Sequence, residues 1–131
     1  MGKLADTILQ IADPDHEAMA LVCDAPGQDD VWIHLLAEFD DDPLTGQRSL
    51  GSWTLTFGYP LQREPLLELR RINFLPSLAI RLSTWEPGLF ARVQLMPEVS
   101  AGELATGIRQ IILVIQSAGN PQNIEVALET I

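Results

Sequence analysis

The stretch GYPLQREPLLELRRINFLPSLAIRLSTWEPGLFARVQLMPEVSAGELATGIRQIILVIQSAG, residues 58–119, sets a short amphipathic helix, two alternating strands and a long amphipathic helix in order. Proline and glycine punctuate each step. Pro65 suits a first helical turn, where its missing N–H costs nothing, and Leu66, Leu69 and Ile72 carry one face on to Phe74 before Pro76. Glu86-Pro87-Gly88 then supplies a tight turn between two alternating runs. With Pro87 and Gly88 as the turn, Ile80 is expected opposite Leu95, Leu82 opposite Val93, Ser83 opposite Arg92 and Trp85 opposite Phe90. Apolar residues gather on one face, while Arg81, Trp85, Phe90, Arg92, Gln94 and Met96 gather on the other. Ser100 and Glu103 have the spacing of a capping box, and Leu104, Ile108, Ile111, Ile112 and Ile115 form one stripe before Gly119 and Pro121.

Upstream, Leu4, Ile8 and Ile11 recur at helical spacing before Asp13-Pro14, predicting a first helix over Lys3 to Ala12. AMALVCD, residues 18–24, suits a buried strand or a helical turn, and Ala25-Pro26-Gly27 tips the reading to strand. Val31, Ile33, Leu35, Ala37 and Phe39 alternate with Trp32, His34, Leu36 and Glu38, as do Trp53, Leu55, Phe57 and Tyr59 with their neighbours. Both runs predict half-buried strands. Between them, Asp40 to Gly51 holds three consecutive aspartates, a proline and two glycines, and reads as a solvated acidic loop. Residues 123–131 fit a short strand or a helical turn equally well. The sum is a single α+β domain over 1–131, with helices packed on an antiparallel sheet of about five strands in the order α-β-β-β-α-β-β-α.

The chain has 131 residues, 47% hydrophobic and 20% charged, which is globular and large enough to need neither disulfide nor metal. Its net charge of −10, from 18 acids and 8 bases, argues against a nucleic-acid partner, because that affinity comes from Lys and Arg. The lone Cys23 has no second thiol to pair with and reads as a small buried hydrophobe of a reducing compartment. No opening run has the form of a signal peptide and no span approaches ~18 apolar residues. A cytoplasmic protein without a membrane partner is the expectation.

Little in the sequence demands chemistry. His16 and His34 are its two histidines, on different predicted elements and without a cysteine at metal-ligand spacing. Asp40, Asp41 and Asp42 lack the alternating oxygens and closing glutamate of a calcium loop. No glycine-rich phosphate cradle and no serine elbow is present. Neither catalytic residues, metal nor cofactor is expected. What remains is surface: Trp32, Leu36, Trp85, Phe90 and Met96 fall on strand faces opposite the expected core. They are covered either by the first helix and the tail or by another chain. Arg81 and Arg92 supply carboxylate-pairing forks beside them.

The element order resembles the type III secretion chaperone-like fold, and within it the YbjN-like proteins. The likeness is carried from Tyr59 to Asn120 by the short helix ending Arg71-Ile72-Asn73-Phe74, the strands Leu78 to Trp85 and Leu89 to Met96, and Ser100-Ala101-Gly102-Glu103 opening an Ile-rich helix. These look like cyanobacterial members of the group, and the acidic stretch from Asp40 to Gly51 is an elaboration upon them. The resemblance implies a non-enzymatic protein that binds a protein or peptide segment, often as a homodimer, and a carboxysome assembly chaperone is one specific reading. The expected function is therefore an adaptor or assembly chaperone with Trp32, Leu36, Arg81, Trp85, Phe90, Arg92 and Met96 at the partner-binding face. The alternative is a stress or signalling regulator that sequesters a protein or small ligand.

Overall fold

A computed structural model describes residues 2–13, 20–25, 28–72, 74, 80–116 and 125–129. Helix α1 (Gly2–Ala12) precedes strands β1 (Ala20–Ala25), β2 (Gln28–Asp41) and β3 (Arg48–Gly58). Helix α2 (Pro65–Arg71), strands β4 (Ile80–Glu86) and β5 (Phe90–Leu95), helix α3 (Ala101–Gln110) and strand β6 (Glu125–Glu129) follow. The strands form one antiparallel sheet in the order β4-β5-β3-β2-β1-β6. The α+β class with an antiparallel sheet is as expected, but there are six strands, because the undecided tail pairs with β1. Of the run read from 18–24, residues 20–24 lie in strand β1, and 18 and 19 lie outside the described residues.

Alternation builds the core. Leu21 and Cys23 on β1, Ile33 and Leu35 on β2, Leu55 and Phe57 on β3, and Ala91 and Val93 on β5 lie opposite one another and are buried. Against this face pack Leu104, Ile108, Ile111, Ile112 and Ile115, with Leu4, Ile8 and Ile11 of α1 and Leu69 of α2. The Ser100–Glu103 capping box is present in both directions and starts α3 where the sequence places it. From Ile111 to Ile115 the helix widens into a π-turn, closed by the Gln116 N–H donating to the Ile111 carbonyl at 2.9 Å. At 1.5 Å per residue, residues 101–115 run about 22 Å, and the end of this helix meets the sheet at Trp32 of β2 and Gly58 of β3.

Two expectations are corrected. Residues 40–51 are not one loop: β2 runs to Asp41 and β3 begins at Arg48, with Phe39 opposite Leu50 and Asp41 opposite Arg48. Arg48 offsets the local charge by an ion pair to Asp41 at 3.2 Å, and the turn is confined to residues 42–47. There Asp42 accepts the Leu44 N–H at 2.8 Å, which holds its carboxyl below the ordinary range, and Gly46 takes φ +71°. The second correction is the register of the β4–β5 hairpin. Ile80–Leu95 and Leu82–Val93 pair as expected, but the loop takes in Leu89 as well as Pro87 and Gly88, so Glu86 lies opposite Phe90 and Trp85 opposite Ala91. An irregularity at Ser83, between Leu82 and Thr84, absorbs the extra residue. Gly88 sits at φ +79° in a turn closed by the Leu89 N–H and the Glu86 carbonyl. Of the expected element ends, α2 stops at Arg71 instead of Phe74, and residues 75–79 and 117–124 lie outside the described residues.

Gly107 is the closest approach of α3 to the rest of the core, since a Cβ there would run into the Phe74 ring. Alanine normally stabilises a helix interior by up to about 1 kcal/mol over glycine, but the clash outweighs that here. Gly107→Ala is expected to lower stability by about 1–3 kcal/mol in urea unfolding, with Phe74→Leu in the same chain restoring part of the loss. A stabilised G107A protein would show that the helix and Phe74 are not in contact.

Candidate functional site

All three helices bury their apolar residues in a single core on one side of the sheet. The other side carries the alternate residues of the strands, and no described helix lies on it. Two full rows cross it. Ala20, Leu36, Thr54, Gln94 and Arg81 lie successively opposite one another from β1 to β4, and beside them run Val22, His34, Thr56, Arg92 and Thr84. A third row brings Trp32 opposite Asp24 and Phe90 between Gly58 and Glu86. Trp32, Leu36 and Phe90 are half-buried, and His34, Arg81 and Arg92 are exposed.

The sequence-predicted site residues divide. Trp32, Leu36, Arg81, Phe90 and Arg92 share the open face. Met96 follows the end of β5 and is 43% exposed. It lines a shallow depression of about 280 Å³ with Ile80, Arg81, Gln94, Leu95 and Pro97. Trp85 is a correction: the shifted hairpin register turns it to the helix side, where it packs on the core and meets Tyr59 edge-to-face at 6.0 Å. It does not belong to the open surface.

Side-chain geometry on the open face is specific. His34 stands edge-on to Trp32, with ring centroids 5.5 Å apart. Arg92 donates from Nε to the Thr56 hydroxyl at 3.0 Å and its guanidinium lies 5.9 Å from the Phe90 ring centroid. Thr54 donates its hydroxyl to Glu38. A recess of about 20 Å³ opens among Trp32, Gly58, Tyr59 and Leu89. Beneath it Gln116, 7% exposed, donates from Nε2 to the carbonyls of Trp32 at 2.9 Å and Gly58 at 3.0 Å. The π-turn brings Gln116 to this place, pinning the end of α3 to the strands that carry Trp32 and Phe57. Neither feature was visible in the Ile-rich pattern, because a π-turn changes the backbone period without changing residue type.

A polar corner also went unread. Glu68, 2% exposed, pairs with Arg71 at 2.8 Å and Arg63 at 3.3 Å, while Tyr59 donates to the Arg63 carbonyl at 2.6 Å. Burial, and then the Glu68 charge, push the Tyr59 hydroxyl up to about 12. Burial and the neighbouring Asp24 likewise raise the Cys23 thiol to about 12, which removes it as a nucleophile near neutrality. Among the described residues no group of three or more His, Cys, Asp or Glu is placed to hold a metal, and His16 lies outside those residues. No described helix is long and apolar enough to cross a membrane. Compared with known proteins, the chain matches no family model, no curated protein and no solved structure.

Two predictions separate the faces. Trp85→Ala is expected to cost about 2–4 kcal/mol in denaturant unfolding and Phe90→Ala less than about 1 kcal/mol; the reverse order would put Trp85 on the open side. Tyr59 is the lone tyrosine of the chain. Its raised value means that the folded state holds the proton more tightly than the unfolded state, so this contribution is complete below about pH 10 and fades as pH climbs to about 12. Near-ultraviolet titration should show a single phenol ionising near the upper end of that window, and one ionising at the ordinary value of 10.0 would remove the burial argument.

Proposed function

We propose that the protein is a non-enzymatic adaptor or assembly chaperone that holds a segment of a partner protein on the open face of its sheet. One observation carries the reading: the described helices all lie on one side, and the reverse side presents Trp32 and Leu36 on β2 and Phe90 on β5, with β3 between them. An aromatic costs free energy when its ring remains in water, and an antiparallel sheet with one solvated side normally alternates to polar residues there. Threonines, glutamine and arginine fill the positions between the aromatics, which is the mixed composition of a non-obligate interface. The resemblance of the Tyr59–Asn120 stretch to YbjN-like, type III secretion chaperone-like proteins supports the same reading, and a cytoplasmic location belongs with it. The removal of Trp85 from the surface shrinks the expected patch without dissolving it. Its place at the rim is taken by the depression beside Met96.

The test compares affinity capture from the native cell extract by the intact protein and by a Trp32→Ser/Phe90→Ser variant whose unfolding midpoint is unchanged. A set of proteins retained by the first and lost by the second, in quantitative mass spectrometry, is the expected outcome. Identical sets on both would remove the open face from the function.

A further inference from the structure

We infer that the segment received by the open face is acidic, with carboxylates that dock on Arg81 and Arg92 and apolar side chains that fill the spaces beside them. This rests on reading the face as a docking surface and adds the chemistry of what docks. The chain carries 18 acids and 8 bases, so an arginine is outnumbered by potential partners. Arg48, Arg63 and Arg71 each take one, whereas among the described residues Arg81 and Arg92, like Arg70 and Arg109 on the helices, meet none, and of these four only Arg81 and Arg92 stand on the sheet. Both stand on the same face of adjacent strands, Arg81 opposite Gln94 and Arg92 opposite Thr84. Arg92 is held in place: the Thr56 hydroxyl takes its Nε–H and the Phe90 ring lies near its guanidinium plane, leaving the two terminal nitrogens for a ligand. Arg81 borders the depression with Met96 and Pro97 at its apolar side, so that a carboxylate and an apolar side chain of one segment would dock together there.

The surrounding charge selects the class of partner. Asp24, Glu38 and Glu86 lie on the same side, toward the ends of the strands, and Glu125 and Glu129 continue the Asp24 and Ala20 rows on β6. A continuous polyanion such as a nucleic acid would cross them, whereas a polypeptide with carboxylates confined to its centre would not.

Three synthetic peptides with a common set of leucines and phenylalanines, and with Asp, Ser or Lys between them, test this. Binding is read at the Nε–H resonances of Arg81 and Arg92, so that a cationic peptide attaching elsewhere to the acidic surface is not scored. The Asp peptide is expected to bind roughly tenfold more tightly than the Ser peptide, and Arg81→Glu/Arg92→Glu, read by amide resonances of β4 and β5, should abolish that preference. Equal binding of Asp and Ser peptides, or a preference unchanged in the double variant, overturns the acidic partner and leaves the docking face standing. Failure of every peptide to perturb the face overturns both. Displacement of the Asp peptide by a short oligonucleotide overturns the choice of polypeptide.

Discussion

The Ile-rich stripe of α3 against one face of the sheet is the interaction on which the rest depends. It follows β5 in the chain, ends against β2 and β3 at Gln116, and buries what alternation points toward it. Burying each such isoleucine is worth about 1.5–3 kcal/mol, and the stripe supplies several. Leu4, Ile8 and Ile11 of α1 and Leu69 of α2 complete the same layer, and the reverse face is left to solvent or to another molecule. The asymmetry of the molecule follows from all three described helices packing on one face.

Polar groups secure this arrangement at its margins. Gln116 ties the end of the π-turn to two carbonyls of the sheet, and Glu68 holds α2 and the preceding loop through Arg71 and Arg63. Glu68 is buried and its arginines are largely in water, so its removal frees solvated cations and strands no buried charge. Gln116 differs, because without it the buried Gly58 carbonyl and the partly buried Trp32 carbonyl lose this donor. The first pair shapes the corner around Tyr59, and the second stabilises the backbone directly behind Trp32. Core and open face are thus mechanically continuous through the strands themselves.

The open face combines aromatic rings, threonines and arginines in a strongly acidic chain. Its two arginines stand among several carboxylates of the same face, and half-buried aromatics beside arginines without a carboxylate partner are the argument for recognition over mere solubility. A face serving only solvation has no need of Trp32 and Phe90 in one row and Leu36 two rows away. Nor does a −10 chain need arginines unpaired with its own carboxylates to remain soluble. The long β2–β3 hairpin, with Leu44 93% exposed in its turn, extends beyond the pairing of β1 and β5 and widens the surface on the same side as the Met96 depression.

Periodicity and punctuation determined which elements form and which residues enter the core: the capping box at Ser100, the strands around Ile33 and Leu55 and the isoleucine stripe are local patterns, legible because each depends on neighbours in the chain. Trp32, Leu36, Arg81, Phe90 and Arg92 were placed on one face for the same reason. Tertiary structure alone decided what depends on distant partners. Strand β6 exists because β1 offers it an edge, and the aspartates at 40 and 41 extend because β3 pairs with them. Trp85 turned inward because one unpaired residue at Ser83 reverses every side chain beyond it, and its aromatic body is stabilised by Tyr59 from another element. A strand pattern has period two, so sequence specifies alternation but not its phase; the phase is chosen by whichever face finds something to pack against.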